Sequence, residues 1–149
     1  MTMATPSALD TLIELATKET DEATKRLGRA IRVSEEAQQK LGILQQYRDD
    51  YAARFQETLT NGLTALAYRN FQLFLEKIDT AIDGQVNVVQ SSQQRVAEAR
   101  AAWQACERKR MSYDTLATRA RDQEMRKENK RDQKSMDEHA SRISFYKQR

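Results

Sequence analysis

The stretch that decides the fold is Phe55-Gln56-Glu57-Thr58-Leu59-Thr60-Asn61-Gly62. Glycine loses the most freedom when ordered in a helix, and Asn and Gly both tolerate the left-handed backbone that ends one. Thr60-Asn61-Gly62 therefore reads as a helix stop and a tight reversal. Backward from Phe55, alternating steps of four and three land on Tyr51, Arg48, Leu44, Leu41, Ala37, Ser34, Ala30, Leu27, Ala23, Thr20, Ala16 and Ile13. Ten of these thirteen positions are apolar, and two of the exceptions are small, so a heptad seam runs through the segment. The many Ala and Ser positions predict a close helix partner.

Forward of the turn the same stepping gives Phe71, Leu75, Ile78, Ile82, Gln85, Val89, Ser92, Val96, Ala99, Trp103, Cys106, Arg110, Tyr113, Ala117 and Ala120. Twelve of these fifteen are apolar or cysteine. Two consecutive heptad helices joined by a short connection pack antiparallel. The expected fold is all-α: one domain over residues 1–149, a long antiparallel two-helix coiled-coil hairpin. Helix one spans about 7–59, the turn about 60–64 and helix two about 65–142, with Ser7 as N-cap and Asp10 in the first turn. Reflection about residues 61 and 62 sets Ile13 opposite Arg110 and Tyr51 opposite Gln72. Helix one is then exhausted near residue 115, leaving a charged C-terminal helical overhang.

Composition agrees. The 149 residues include one proline and four glycines, too few for the turns of a sheet protein. Hydrophobic residues make up 39%, much of it alanine, which suits a narrow seam better than a spherical core. Cys106 and His139 are the only residues of their types, so neither a disulfide nor a Cys/His metal site is expected. No glycine lies in a phosphate-cradling pattern. The expectation is a protein with no catalytic residues, no metal and no cofactor. No apolar run resembles a signal peptide or a membrane span, which predicts a soluble, cytoplasmic chain. With 25 basic and 22 acidic residues interleaved, the net charge of +3 reads as a solvated surface.

Two regions stand out. Around the turn lie Tyr47, Tyr51, Phe55, Tyr68, Phe71 and Phe74. Tyr51, Phe55 and Phe71 fall on the seam and should pack there. Tyr47, Leu73 and Phe74 fall off it and, with Leu44 and Ile78 nearby, predict an exposed apolar stripe that could meet a partner. Trp103 and Cys106 are read as core, and His139 as exposed. The overhang is the second region. From Arg121 to Arg142 only Met125, Met136 and Ala140 are apolar; the remainder is polar and densely charged with both signs. Such a segment has no stripe to bury and either frays alone or orders inside a partner.

Specific residues carry a resemblance. Asp132-Gln133-Lys134-Ser135-Met136-Asp137-Glu138 resembles the D-Q-K-x-M-D-E signature of the flagellar export family FliJ. Tyr47-Arg48-Asp49-Asp50-Tyr51 is similar to that family's Y-x-x-x-Y element, and Asn70-Phe71-Gln72-Leu73-Phe74 to its N-[YF]-Q-x-F segment. The resemblance covers nearly the whole chain, and the tail signature is its specific part because no seam requires it. It implies a hairpin similar to the γ-subunit stalk of F-type ATPases. It also implies a component of the bacterial flagellar type III export apparatus, cytoplasmic and peripheral at the inner face of the membrane. The implied partners are the hexameric export ATPase FliI, the export gate protein FlhA and export chaperones. The implied gate contact is Leu44, Tyr47, Tyr51, Phe74, Ile78 and Ala81. The implied ring contact is Arg126, Lys127, Lys130, Arg131, Lys134, Asp137 and Glu138. Lys40 and Gln85 depart from the family's more usual Gln and His.

Two other readings remain open from the residues. One is the stalk of an injectisome ATPase, which shares the fold and the kind of partner. The other is a nucleic-acid-binding coiled coil, which would need a continuous basic face and steep salt dependence. A basic amphipathic membrane-surface helix fits neither segment.

Overall fold

A computed structural model describes residues 8–147. Two helices account for all but the connection between them: α1, Ala8–Thr60, and α2, Ala65–Lys147, with no strand among the described residues. The fold is the antiparallel coiled-coil hairpin that the seams predict. Helix one begins at the first described residue, so Ser7 as N-cap lies outside the described residues. Helix two runs five residues past the expected 142. No Gly or Pro follows Gly84, so nothing in the backbone stops it.

The reversal is built as its residues suggest. Gly62 has φ +95°, the one positive φ among the described residues, where a side chain would be strained. Asn61 N–H donates to Glu57 O and Gly62 N–H to Leu59 O, both at 3.3 Å, capping the last carbonyls of α1. Thr64 then opens α2. Its hydroxyl accepts from Ala67 N–H at 3.2 Å, three residues on, in N-cap geometry.

The helices divide between two compact units. In the unit Asp21–Ala105, the turn and both seams come together. Gln85 Nε2 donates to Ala37 O at 2.9 Å, and Tyr51 stacks on Phe71 and Phe74, the residues flanking its expected opposite, Gln72. In the other unit, the described residues up to Thr20 pack on those from Cys106 onward, where Lys109 pairs with Glu19 at 3.7 Å.

Every α1 position on the predicted seam is buried or half-buried, as are the α2 positions through Ala117. The exception is Ala120, which is exposed. The most deeply covered positions are mostly small, namely Ala16, Thr20, Ala23, Ser34, Ala37, Ser92 and Ala117, with Ile78 and Val89. Small side chains let two backbones approach, so Gln85 can reach a carbonyl that a larger residue at 37 would screen. The buried hydroxyls stay satisfied on their own helix, Thr20 donating to Ala16 O at 2.8 Å and Ser92 to Val89 O at 2.7 Å. Among the described residues, no buried side-chain nitrogen or oxygen lacks a partner. Arg110, a charge on the seam, is neutralised from its own helix by Glu107 and Asp114.

Candidate functional site

Near the turn, five ring contacts bind the two helices. Tyr51 meets Phe74 at 4.7 Å and Phe71 at 5.2 Å, Phe55 meets Phe71 at 5.1 Å and Tyr68 at 5.4 Å, and Tyr47 meets Phe74 edge-on at 6.3 Å. Each such pair contributes about 0.5–1.5 kcal/mol beyond the area it covers. A two-helix layer cannot enclose so many rings, so part of the cluster stays in solvent. Tyr51, Phe55 and Phe71 are half-buried, whereas Tyr47 is 49% and Phe74 37% exposed. Burial pushes the Tyr51 phenol above its ordinary value, with a smaller contribution from Tyr47.

The expected gate-facing residues sort by depth. Tyr47, Phe74 and Ala81 are exposed, and Leu44 and Tyr51 are half-buried beneath them. Ile78 lies where the seam stepping puts it, buried, and not in the exposed stripe that the resemblance implies. It is 6% exposed, because its position on α2 points into the seam. It underlies the exposed aromatic row. The opposite side of the hairpin is more polar: Arg48 donates to Asp79 there, and this bond, with the charge of Asp79, holds the guanidinium above its ordinary value. The aromatic face is therefore one-sided.

The charged segment is the second candidate. From Thr118 to Lys147 every described side chain is exposed, yet the helix continues without a break. Arg126, Lys127, Lys130, Arg131, Lys134, Asp137 and Glu138 all lie on it. Among the described residues, no ion pair engages any charged side chain from Arg121 to Arg142. An unbroken helix also sorts what looked like mixed charge. At about 100° per residue, Arg126, Lys127, Lys130, Arg131 and Lys134 fall within an arc of about 140°. Asp122, Glu124, Glu128 and Asp132 fall outside it, and Asp137 and Glu138 join the basic arc near its end. Met125, Met136 and Ile143 line the opposite side, with Met136, His139 and Ala140 flooring a shallow depression. A linear reading sees these residues as interleaved; only the helical projection separates them.

Neither region encloses a reaction chamber. Among the described residues, no group of three His, Cys, Asp or Glu side chains is placed to hold a metal, and no helix is long and apolar enough to cross a membrane. Cys106 is a half-buried free thiol on the seam. Both regions are largely exposed surfaces, one aromatic and one charged.

The family described as Flagellar FliJ protein matches residues 5–149. The chain belongs to the FliJ family. It is 31% identical to the flagellar FliJ protein of Salmonella typhi and 30% to that of Escherichia coli K12, each over 145 residues. Both alignments cover 97% of this chain and 99% of the relative. A FliJ-family chain is a flagellar protein and not an enzyme. The resemblance carried by the 132–138 segment and the two aromatic elements thus extends along the molecule.

Proposed function

We propose that this FliJ-family chain works in the flagellar type III export apparatus as the stalk of the export ATPase FliI. The segment from Thr118 onward enters the ATPase ring and promotes its assembly. The aromatic face around Tyr47 and Phe74 meets the export gate protein FlhA, and export chaperones bind the same chain. The 149 residues act as one domain, cytoplasmic and peripheral at the inner face of the membrane. The chain breaks no bonds itself; it conveys the state of the ring to the gate.

The observation that supports this most directly is the segment from Thr118 to Lys147, helical and exposed on all sides. A helix of that length buries nothing on its own chain, so its sequence answers to something outside it. The charges at Arg126, Lys127, Lys130, Arg131 and Lys134 suit many weak polar contacts that can be made and released as a ring changes state. Deleting residues 122–149 tests the reading. The expected result is loss of co-purification with FliI while the remaining hairpin keeps its helicity by circular dichroism. Retained FliI binding would refute the tail assignment. The double variant Tyr47→Ala with Phe74→Ala is expected to keep its helicity and lose FlhA binding and motility.

A further inference from the structure

The aromatic face continues well beyond the rings. Steps of seven from Tyr47 back along α1 reach Lys40 and Val33, and steps of seven from Phe74 along α2 reach Ala81 and Val88. Seven residues make nearly two helical turns, so each set forms a row on one side of its helix. The two rows border the same side of the unit Asp21–Ala105. Tyr47 and Phe74 touch there, and a shallow depression farther along is lined from both helices by Val33, Val88, Ser92 and Arg95. Val33 is 51% and Val88 50% exposed, although β-branched residues on a hairpin this polar gain nothing from solvent.

The opposite side is more polar, although Ile31, Ala52 and Leu59 of α1 and Val86 of α2 lie in its rows. It presents the Arg48–Asp79 pair, and Gln38 and Gln93 beside Ile31. The aromatic side keeps exposed apolar residues at heptad spacing in the rows just outside the seam. These rows flank the groove between the two helices, where a third helix lying along the pair would cover them. The charges on the rows say what kind of helix. Extending each row by seven adds Arg26 and Arg54 on α1 and Arg95 on α2. With Lys40 these are four cations, and neither row holds an acid between residues 26 and 54 or between 67 and 95. Glu36, Asp50, Glu57 and Glu98 lie about 60° farther round their helices, away from the groove.

We propose that Val33, Lys40 and Tyr47 of α1, with Phe74, Ala81 and Val88 of α2, form a groove that seats a third helix, amphipathic and acidic along its flanks. This rests on the aromatic face being a contact surface and specifies what it contacts. The occupant lies along the hairpin with its apolar stripe over Val33, Ala81 and Val88 and its carboxylates against Lys40, Arg26 and Arg95.

The test uses the full chain and two fluorescent peptides of about four heptads. Both carry leucine in a heptad stripe; one has glutamate and the other lysine on the flanks. Anisotropy titrations should show the glutamate peptide binding about tenfold or more tightly than the lysine peptide, and weakening as salt rises. Val33→Asp with Val88→Asp should cut that binding by about tenfold or more at unchanged helicity, since both positions are exposed. Lys40→Glu with Arg95→Glu should reverse the preference between peptides. Equal affinity for the two peptides, no binding of the glutamate peptide, or binding indifferent to Val33→Asp with Val88→Asp would overturn the proposal. So would sedimentation showing a dimer that the aspartate variant dissociates, because the groove would then belong to a second copy. Failure here while Tyr47→Ala with Phe74→Ala still loses FlhA binding rejects the occupant alone; FlhA binding kept in that variant rejects the surface itself.

Discussion

Ile78→Ala and Tyr47→Ala, made separately, should separate the support of the aromatic face from its exposed edge. Ile78 is buried in the seam, and shortening it to alanine removes three carbons. At about 0.8 kcal/mol per buried carbon this is about 2.4 kcal/mol before any cavity cost. Solvent flanks the seam on both sides, so the gap can close partly, and a total of about 2–3 kcal/mol follows. Tyr47 is half out of solvent contact and touches Phe74 only edge-on at 6.3 Å. Its loss should cost about 0.5–1 kcal/mol. For a chain of this size each kcal/mol moves the melting temperature by about 2–4 °C. Thermal melts followed by circular dichroism should therefore drop by about 4–12 °C for Ile78→Ala and by no more than about 4 °C for Tyr47→Ala. FlhA pull-downs at a temperature where both variants are folded should show the reverse ranking. The reasoning fails if Tyr47→Ala melts as early as Ile78→Ala, since Tyr47 would then be core. It also fails if Ile78→Ala is thermally silent, since the seam would not pass through that position.

Two further outcomes test the ends of the helices. Gly62→Ala should destabilise the hairpin by about 1–2 kcal/mol in urea unfolding, because φ +95° strains any Cβ even though nothing else crowds the site. Thr64→Ala should cost about 1 kcal/mol by removing the cap on Ala67 N–H, and Thr64→Ser should restore most of it. The Arg110 cluster predicts a pH effect. The bond from Arg110 holds the Glu107 carboxyl below its ordinary value near 4.5. A lowered native value stabilises the fold above the unfolded value and is lost as pH falls through the native one. Acid titration by circular dichroism should find Glu107→Gln less stable than wild type near neutrality, with the difference shrinking as the pH drops below about 4.5.

The seam was legible in the sequence because its period is a property of the chain. Positions from Ile13 to Phe55 and from Phe71 to Ala117 needed only the step of three and four, and Asn61-Gly62 supplied the reversal. Ala120 continues the stepping but lies within the expected overhang, and its exposure follows because a seam position is covered only if a partner reaches it. The same stepping places Ile78 in the seam, and its burial agrees with that period and not with the exposed stripe beside it. Thr64 as N-cap had a local signal, a threonine just ahead of the second helix, but depth and cross-helix bonds such as Gln85 to the Ala37 carbonyl depend on how closely the backbones pass. The sorting of the charges from Arg126 to Lys134 was present in the residues but needed the helix to be unbroken before angles could be assigned.

The same feature that makes the hairpin thin also makes its surfaces available. A seam whose most deeply buried positions are mostly Ala, Ser and Thr buries little apolar area there, so stability comes from many small contributions along the helices and not from one enclosed core. Large side chains near the turn then have no interior to enter, and Tyr47 and Phe74 remain at the edge while Ile78 fills the space beneath. Enlarging the seam would reverse this. Ala37→Leu in the unit Asp21–Ala105 would push the helices apart and screen the carbonyl that Gln85 reaches. A better-filled core would thus be gained by loosening the register that holds Tyr47 against Phe74. The small residues of the seam are therefore a condition for the exposed aromatic face, because they fix two helices closely enough for one row from each to form a single surface.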